Sequence, residues 1–213
     1  MNRLCFSQLR KVLCIGAHAD DIEIGCGGTL LRLLSEHPGL HIYWIVLSAN
    51  EVRAEEARRS ANFYLQKATE QECEIKSFRD SFFPYNGGEI KDYFHSLGQR
   101  FSPDLIFTHR RDDLHQDHRL VADLTWNTFR NHLILEYEIP KYDGDLGRPN
   151  LFVTLDAPTC EQKVDGLLSG FPSQREKPWF TRDTFLSLIR IRGVESNSPT
   201  RLAEGFYCRK GVL

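Results

Sequence analysis

Short apolar runs alternate with amphipathic stretches along the first 130 residues. Lys11–Ala17 (KVLCIGA) is apolar and partly β-branched, the pattern of a buried strand. The Gly-rich stretch Gly25–Gly28 reads as a turn, and Thr29–His37 has helical spacing that stops before Pro38-Gly39. Residues 40–47 repeat the buried-strand pattern. Val52–Glu72, rich in Ala, Glu and Arg and poor in breakers, predicts a long helix, followed by a third strand over 74–78 and a loop at Pro84–Gly88. A helix over 89–101 leads into the apolar strand Asp104–Thr108, and His115–Arg130 is helical again. The last third is less regular: strands at Leu133–Ile139 and Leu151–Leu155 flank the turn-rich Asp143–Pro149, with helices over 160–170 and 181–192.

Apolar strands alternating with helices predict an α/β fold, a Rossmann-like three-layer sandwich with a mostly parallel central sheet covered on both faces. There is no internal repeat, low-complexity segment or Pro/Ser-rich linker. A length of 213 residues then fits a single domain over 1–213, its part from about residue 133 supplying substrate-facing loops and strands.

Charge removes partners rather than suggesting them. With 27 Lys+Arg against 29 Asp+Glu there is no basic footprint for nucleic acid or an anionic membrane surface. The longest apolar run, His41–Leu47, is far short of the ~20 residues a membrane span needs, and the first ten residues lack the apolar core of a secretory signal. Six cysteines without any CxxC pair read as free thiols. These features together predict a cytoplasmic protein.

The near-neutral total conceals two local concentrations. The first strand runs into His18-Ala19-Asp20-Asp21-Ile22-Glu23, and the strand at 104–108 runs into a segment from His109 to His118. Together they hold four of the eight histidines and five aspartates, at strand ends where open α/β sheets bind ligands. Imidazole with carboxylate suits zinc and related divalent ions, and a catalytic site uses three protein ligands plus an open position. His18 and Asp21 lie close enough in one turn to share an ion, and a third ligand would come from the second cluster. Adjacent Asp20 and Asp21 should diverge, one to the metal and one free to act as a general base. The alternative is a sugar-nucleotide or metal-binding Rossmann-like protein without hydrolase activity. Against a nucleotide, three carboxylates (Asp20, Asp21 and Glu23) separate the strand from the glycines and would repel phosphate.

The segment Ala17-His18-Ala19-Asp20-Asp21-Ile22-Glu23-Ile24-Gly25-Cys26-Gly27-Gly28-Thr29 resembles the AHPDDxExGcGGT hallmark of the LmbE/PIG-L family of zinc-dependent N-acetyl-sugar deacetylases. His115-Gln116-Asp117-His118 resembles its HPDH hallmark, Arg53 and Glu56 its Arg-x-x-Glu pair, and Ala203-Glu204-Gly205-Phe206 its C-terminal AEaF signature. The resemblance implies that His18, Asp21 and His118 bind Zn²⁺, with Fe²⁺ or another divalent ion accepted by the same ligands. It implies that Asp20 is the general base toward the attacking water. His115 would steady the oxyanion and protonate the departing amine, with Asp117 orienting or charging it. The implied partner is an N-acetylated sugar or sugar conjugate, and soluble relatives often form homo-oligomers. Ala19 and Gln116 stand where the family has prolines, which loosens both turns but removes no ligand.

Some residues keep an ordinary reading beside this one. Asp20 and His115 suit helix N-caps. Arg53 and Glu56 are spaced for a simple helix ion pair, or Arg53 stands at the rim of the site.

Overall fold

A computed structural model describes residues 5, 6 and 8–212, so the reading of the first ten residues falls partly outside the described ones. The strands are β1 (Lys11–His18), β2 (His41–Ser48), β3 (Glu70–Ile75), β4 (Leu105–His109), β5 (Leu133–Tyr137), β6 (Leu151–Thr154) and β7 (Ala203–Tyr207). The helices are α1 (Asp21–Glu36), α2 (Glu51–Tyr64), α3 (Gly87–Arg100), α4 (Gln116–Thr128), α5 (Ala157–Gly170) and α6 (Arg182–Glu195). All seven strands form one sheet in the order β3-β2-β1-β4-β5-β7-β6. The first five in that order are parallel, and β7 runs antiparallel to both β5 and β6.

Period-two alternation divides the core between the two faces. Val12, Cys14, Ile42, Trp44 and Val46 pack with α1, α2, α5 and α6 through residues such as Ile22, Ala57, Val164 and Phe185. Leu13, Ile15, Tyr43, Ile45 and Leu47 face the other way, onto Ile90, Phe94 and Leu97 of α3 and Val121 and Leu124 of α4. The chain runs from β1 outward to β3 and then returns to β4 beside β1. The carboxyl ends of β1 and β4 are therefore the switch point at which such sheets form a crevice.

Three sequence expectations need correction. Gly25–Gly28 is no turn: it lies inside α1, which starts at Asp21. A Cβ on Gly25 would sit 2.2 Å from the Tyr137 ring, and one on Gly28 would sit 2.6 Å from Leu155. These glycines let α1 pack closely on the sheet, at a cost in helix propensity. Second, the helix expected over Val52–Glu72 stops at Tyr64, and β3 takes Glu70–Ile75. This edge strand is largely exposed and carries Glu70, Glu72 and Glu74, so no apolar alternation marks it. Third, β7 was expected only as a motif. Its Glu204 accepts from the backbone N–H groups of Gly28 (2.9 Å) and Thr29 (2.7 Å) and pairs with buried Lys163 at 2.5 Å, fastening α1 and α5 to the sheet edge. The stretch 84–88 likewise holds a 3₁₀ turn (Phe83–Asn86) and the start of α3. The other expected elements stand with boundaries shifted by a few residues. All six cysteines are free. No helix among the described residues is long and apolar enough to cross a membrane.

Candidate metal centre

His18 ends β1, Asp21 opens α1, and His118 sits in the first turn of α4, so three elements deliver one group of side chains to the switch point. Nδ1 of His18 lies 3.2 Å from Nε2 of His118 and 3.5 Å from Oδ2 of Asp21, and Nε2 of His118 lies 3.6 Å from Oδ1 of Asp21. Tetrahedral zinc with bonds of 2.0–2.1 Å separates its ligand atoms by about 3.3 Å. Two imidazole nitrogens and a carboxylate at these spacings fit such an ion. His18 is half-buried while Asp21 and His118 are buried, so one side of the group opens to solvent.

The ring nitrogens that face away are held in turn, as metal-ligating histidines require. Nε2 of His18 lies 3.2 Å from Oδ2 of Asp117 and 3.1 Å from Oδ1 of Asp80. Nδ1 of His118 lies 3.0 Å from Oδ2 of Asp113. Asp113 also accepts from the backbone N–H of His115 through Oδ1, at 2.8 Å. His109, the last residue of β4, is fully buried, stacks on His118 with ring centroids 3.9 Å apart and places Nε2 3.1 Å from Asp21.

Electrostatics follow this packing. Burial, then the charge of His109, pushes the His118 pKa down to about 4, which leaves its lone pair free at neutral pH. Burial works against an ionised Asp21, but His118 and His109 overcome it and hold its pKa well below the carboxylate range. Burial also opposes a charged His18, yet Asp117, Asp21 and Asp80 raise its pKa well above the imidazole value.

Asp20 diverges from Asp21 because its backbone is left-handed, with φ 101° and ψ −20°. Asp is among the few non-glycine residues that tolerate this region. Its side chain caps nothing. Instead its Oδ2 lies 3.0 Å from the guanidinium of Arg53, which also holds the Ala19 carbonyl and, at 3.3 Å, Glu56. Burial pushes the Asp20 pKa up to about 6 against the pull of Arg53. Arg53 thus forms the expected ion pair with Glu56 and also reaches the Asp20 carboxylate.

His115 is the N-cap of α4: its Nδ1 accepts from the Asp117 N–H at 3.2 Å, which leaves the proton of the neutral ring on Nε2. Its ring centroid is 4.5 Å from that of His118 and 5.0 Å from that of His18. The Asp117 carboxylate faces His18 rather than His115, and also accepts from the N–H groups of Ser81 (2.7 Å) and Phe83 (3.1 Å). Gln116, in place of the family's proline, donates to the Ser81 carbonyl at 3.2 Å, so this departure fastens the neighbouring loop.

Asp80, Asp113 and Lys141 were not singled out from the sequence. Asp113 lies within the His/Asp cluster and could have been weighed as a histidine partner. Asp80 and Lys141 sit in loops that nothing local distinguishes.

Solved structures share the whole architecture. The conserved protein TT1542 from Thermus thermophilus aligns with a TM-score of 0.73 at 21% identity, covering 97% of each chain. The N,N'-diacetylchitobiose deacetylase of Pyrococcus horikoshii aligns at 0.70 with 19% identity, over 94% of this chain and 84% of that one. GalB, the 4-carboxy-2-hydroxymuconate hydratase of Pseudomonas putida, aligns at 0.68 with 14% identity, over 96% and 98%. At these identities the likeness establishes the fold, and the fold alone hosts more than one chemistry. Membership rests on sequence: the family described as PIG-L, GlcNAc-PI de-N-acetylase, matches residues 13–129, more than half of the chain and both His/Asp clusters, and this protein belongs to it.

Proposed function

We propose that this protein is a metal-dependent N-deacetylase, zinc being the first candidate ion and Fe²⁺ another, that hydrolyses the N-acetyl group of an amino sugar or sugar conjugate. The observation that carries this is the convergence of His18, Asp21 and His118 beside a second carboxylate and a third imidazole, those of Asp20 and His115. The family's name and the diacetylchitobiose deacetylase of the same fold support the choice of substrate class.

A divalent ion held there supplies Lewis-acid polarisation of the amide carbonyl and lowers the pKa of water. Asp20, restrained by Arg53, takes a proton from the attacking water. The water oxygen joins the carbonyl carbon, the C–N bond breaks, and acetate and a free amine leave. His115 holds the oxyanion and steers the departing amine through its Nε2–H, and the amine nitrogen takes the proton that Asp20 removed from water, which restores the Asp20 carboxylate. Asp117 keeps His18 turned toward the ion and locks the 81–83 loop. The protein's single seven-stranded sheet supports reading the chain as one domain. Its free thiols suit a cytoplasmic setting.

The test joins metal analysis to acetate release from N-acetylglucosamine, N,N'-diacetylchitobiose and glycoside-linked N-acetyl sugars, comparing wild type with Asp20→Asn. The expected result is about one divalent ion per chain, with acetate released by wild type and lost by at least 100-fold in the variant. A protein that takes up no divalent metal, or a variant of full rate, overturns the proposal.

A further inference from the structure

The two histidines of the metal centre are oriented in different ways. His18 is turned by Asp117 and Asp80, neither of which contacts a lysine or arginine within 4.0 Å among the described residues. His118 is turned by Asp113, and Asp113 carries a buried cation. Nζ of Lys141 lies 3.1 Å from the same Oδ2 that holds Nδ1 of His118. Lys141 is 8% exposed, and its other partners are both carboxylate oxygens of Asp145, at 2.7 and 2.6 Å, and the carbonyl of Ile139 at 3.5 Å. Asp145 in turn accepts from the backbone N–H of Leu114 at 2.7 Å, and its carbonyl accepts from Arg110 at 2.6 Å. A lysine from the segment after β5 thus closes a clasp between the loop at 142–148 and the β4–α4 loop that carries Asp113, Leu114 and His115.

We propose that Lys141, held by Asp145, is a positioning residue for the metal centre: it fixes the Asp113 carboxylate so that His118 points Nε2 at the ion. The proposal rests on the metal-centre reading of His18, Asp21 and His118. Two physical effects oppose each other when the lysine is removed. Loss of a positive charge near a cation favours metal binding, whereas loss of the clasp frees Asp113 and leaves Asp145 buried without its ammonium partner. Removing a partner that orients a metal-ligating histidine costs about 10- to 100-fold in affinity. Screening and relaxation reduce the charge effect, so the geometric effect wins.

The experiment measures Zn²⁺ affinity by competition with a chromophoric chelator, and the visible absorption of the Co²⁺-loaded protein, for wild type, Lys141→Met, Lys141→Arg and Asp145→Asn. Expected are a Zn²⁺ affinity at least tenfold weaker in Lys141→Met, an altered Co²⁺ spectrum, and recovery to within about threefold in Lys141→Arg, whose guanidinium can span both carboxylates. Asp145→Asn should fall between. Melting temperatures measured without metal separate this from a merely structural role, which lowers stability and leaves affinity and the Co²⁺ spectrum unchanged. Unchanged or tighter Zn²⁺ binding in Lys141→Met overturns the positioning role alone, whereas a wild type that binds neither ion overturns the metal-centre reading as well. Should Lys141→Met fail to fold, equal affinity in Asp145→Asn and wild type is the overturning result.

Discussion

The carboxylate of Asp117 lies 3.2 Å from Nε2 of His18, a residue 99 positions earlier in the chain, and not on its near neighbour His115. Asp117 is fully buried, and it also accepts two backbone N–H groups from the loop after β3. One side chain therefore sets the direction of a candidate metal-ligand imidazole and the position of a loop at the mouth of the site.

Asp117→Asn should weaken divalent-metal affinity by about 10- to 100-fold, because an amide presents one acceptor where three donors now converge. His118→Ala, which deletes a ligand atom, should cost more than that. Titration against a competing chelator ranks the two. An Asp117→Asn protein with wild-type affinity would remove this residue from the account of the centre.

Arg53 is the sole cation within 4.0 Å of Asp20 among the described residues and also braces the Ala19 carbonyl. Arg53→Met should keep its metal content and lower acetate release by at least tenfold, since the carboxylate loses its restraint while the three ligands are untouched. Equal turnover in the two proteins would leave Arg53 as a helix ion pair and nothing more.

Gly25→Ala tests the close approach of α1 to the sheet. Alanine gains about 1 kcal/mol in helix propensity. Its Cβ would meet the Tyr137 ring at 2.2 Å, and Tyr137 is locked by donation of its hydroxyl to the Ile15 carbonyl at 2.6 Å. Overpacking a core costs about 1–3 kcal/mol, and an overlap this deep belongs at or above the upper end. The expected outcome is a melting temperature lowered by several degrees. Gly88→Ala in α3, where a Cβ meets nothing within 4 Å, should be neutral or slightly stabilising.

Acid stability has a contribution distant from the metal centre. Glu74 accepts from Tyr93 at 2.6 Å, from Tyr43, and from both terminal nitrogens of Arg100. Burial raises its pKa, but the Arg100 and tyrosine hydrogen bonds prevail and bring it from 4.5 down to about 2. A carboxylate depressed in the folded state contributes stability above its unfolded pKa and loses it as pH falls through the folded one. Wild type should lose stability between about pH 5 and pH 2, and Glu74→Gln should show a flatter curve across that window. Parallel curves from thermal melts would refute the assignment.

Much of this protein was legible before any coordinate. Strands β1, β2 and β4 announce themselves because both faces of a central parallel strand are buried and their inner positions form nearly continuous apolar runs. His18 and Asp21 were nameable as candidate ligands from their residue types in one turn, and His118 from the resemblance of its segment to the second family hallmark. Edge strand β3 was expected four residues too late, at 74 rather than 70, because a strand with water on its outer side is free to carry glutamates that read as helix. The glycines of α1 misled for a related reason: a local reading takes them for a turn, while distant side chains, Tyr137 at Gly25 and Leu155 at Gly28, leave no room for a Cβ on this helix.

The sequence by itself determined the α/β class, the candidate ligand residues and the family, since those depend on periodicity and residue chemistry along short segments. Only the tertiary structure decided which carboxylate orients which imidazole. Asp117 serves His18, Asp113 serves His118, Arg53 restrains Asp20, and Lys141 reaches Asp113 from a loop on the far side of β5. These pairings depend on the spacing of strands across the sheet and on the path of loops between them. The Asp117–His18 contact, across 99 residues, leaves no local trace in the chain.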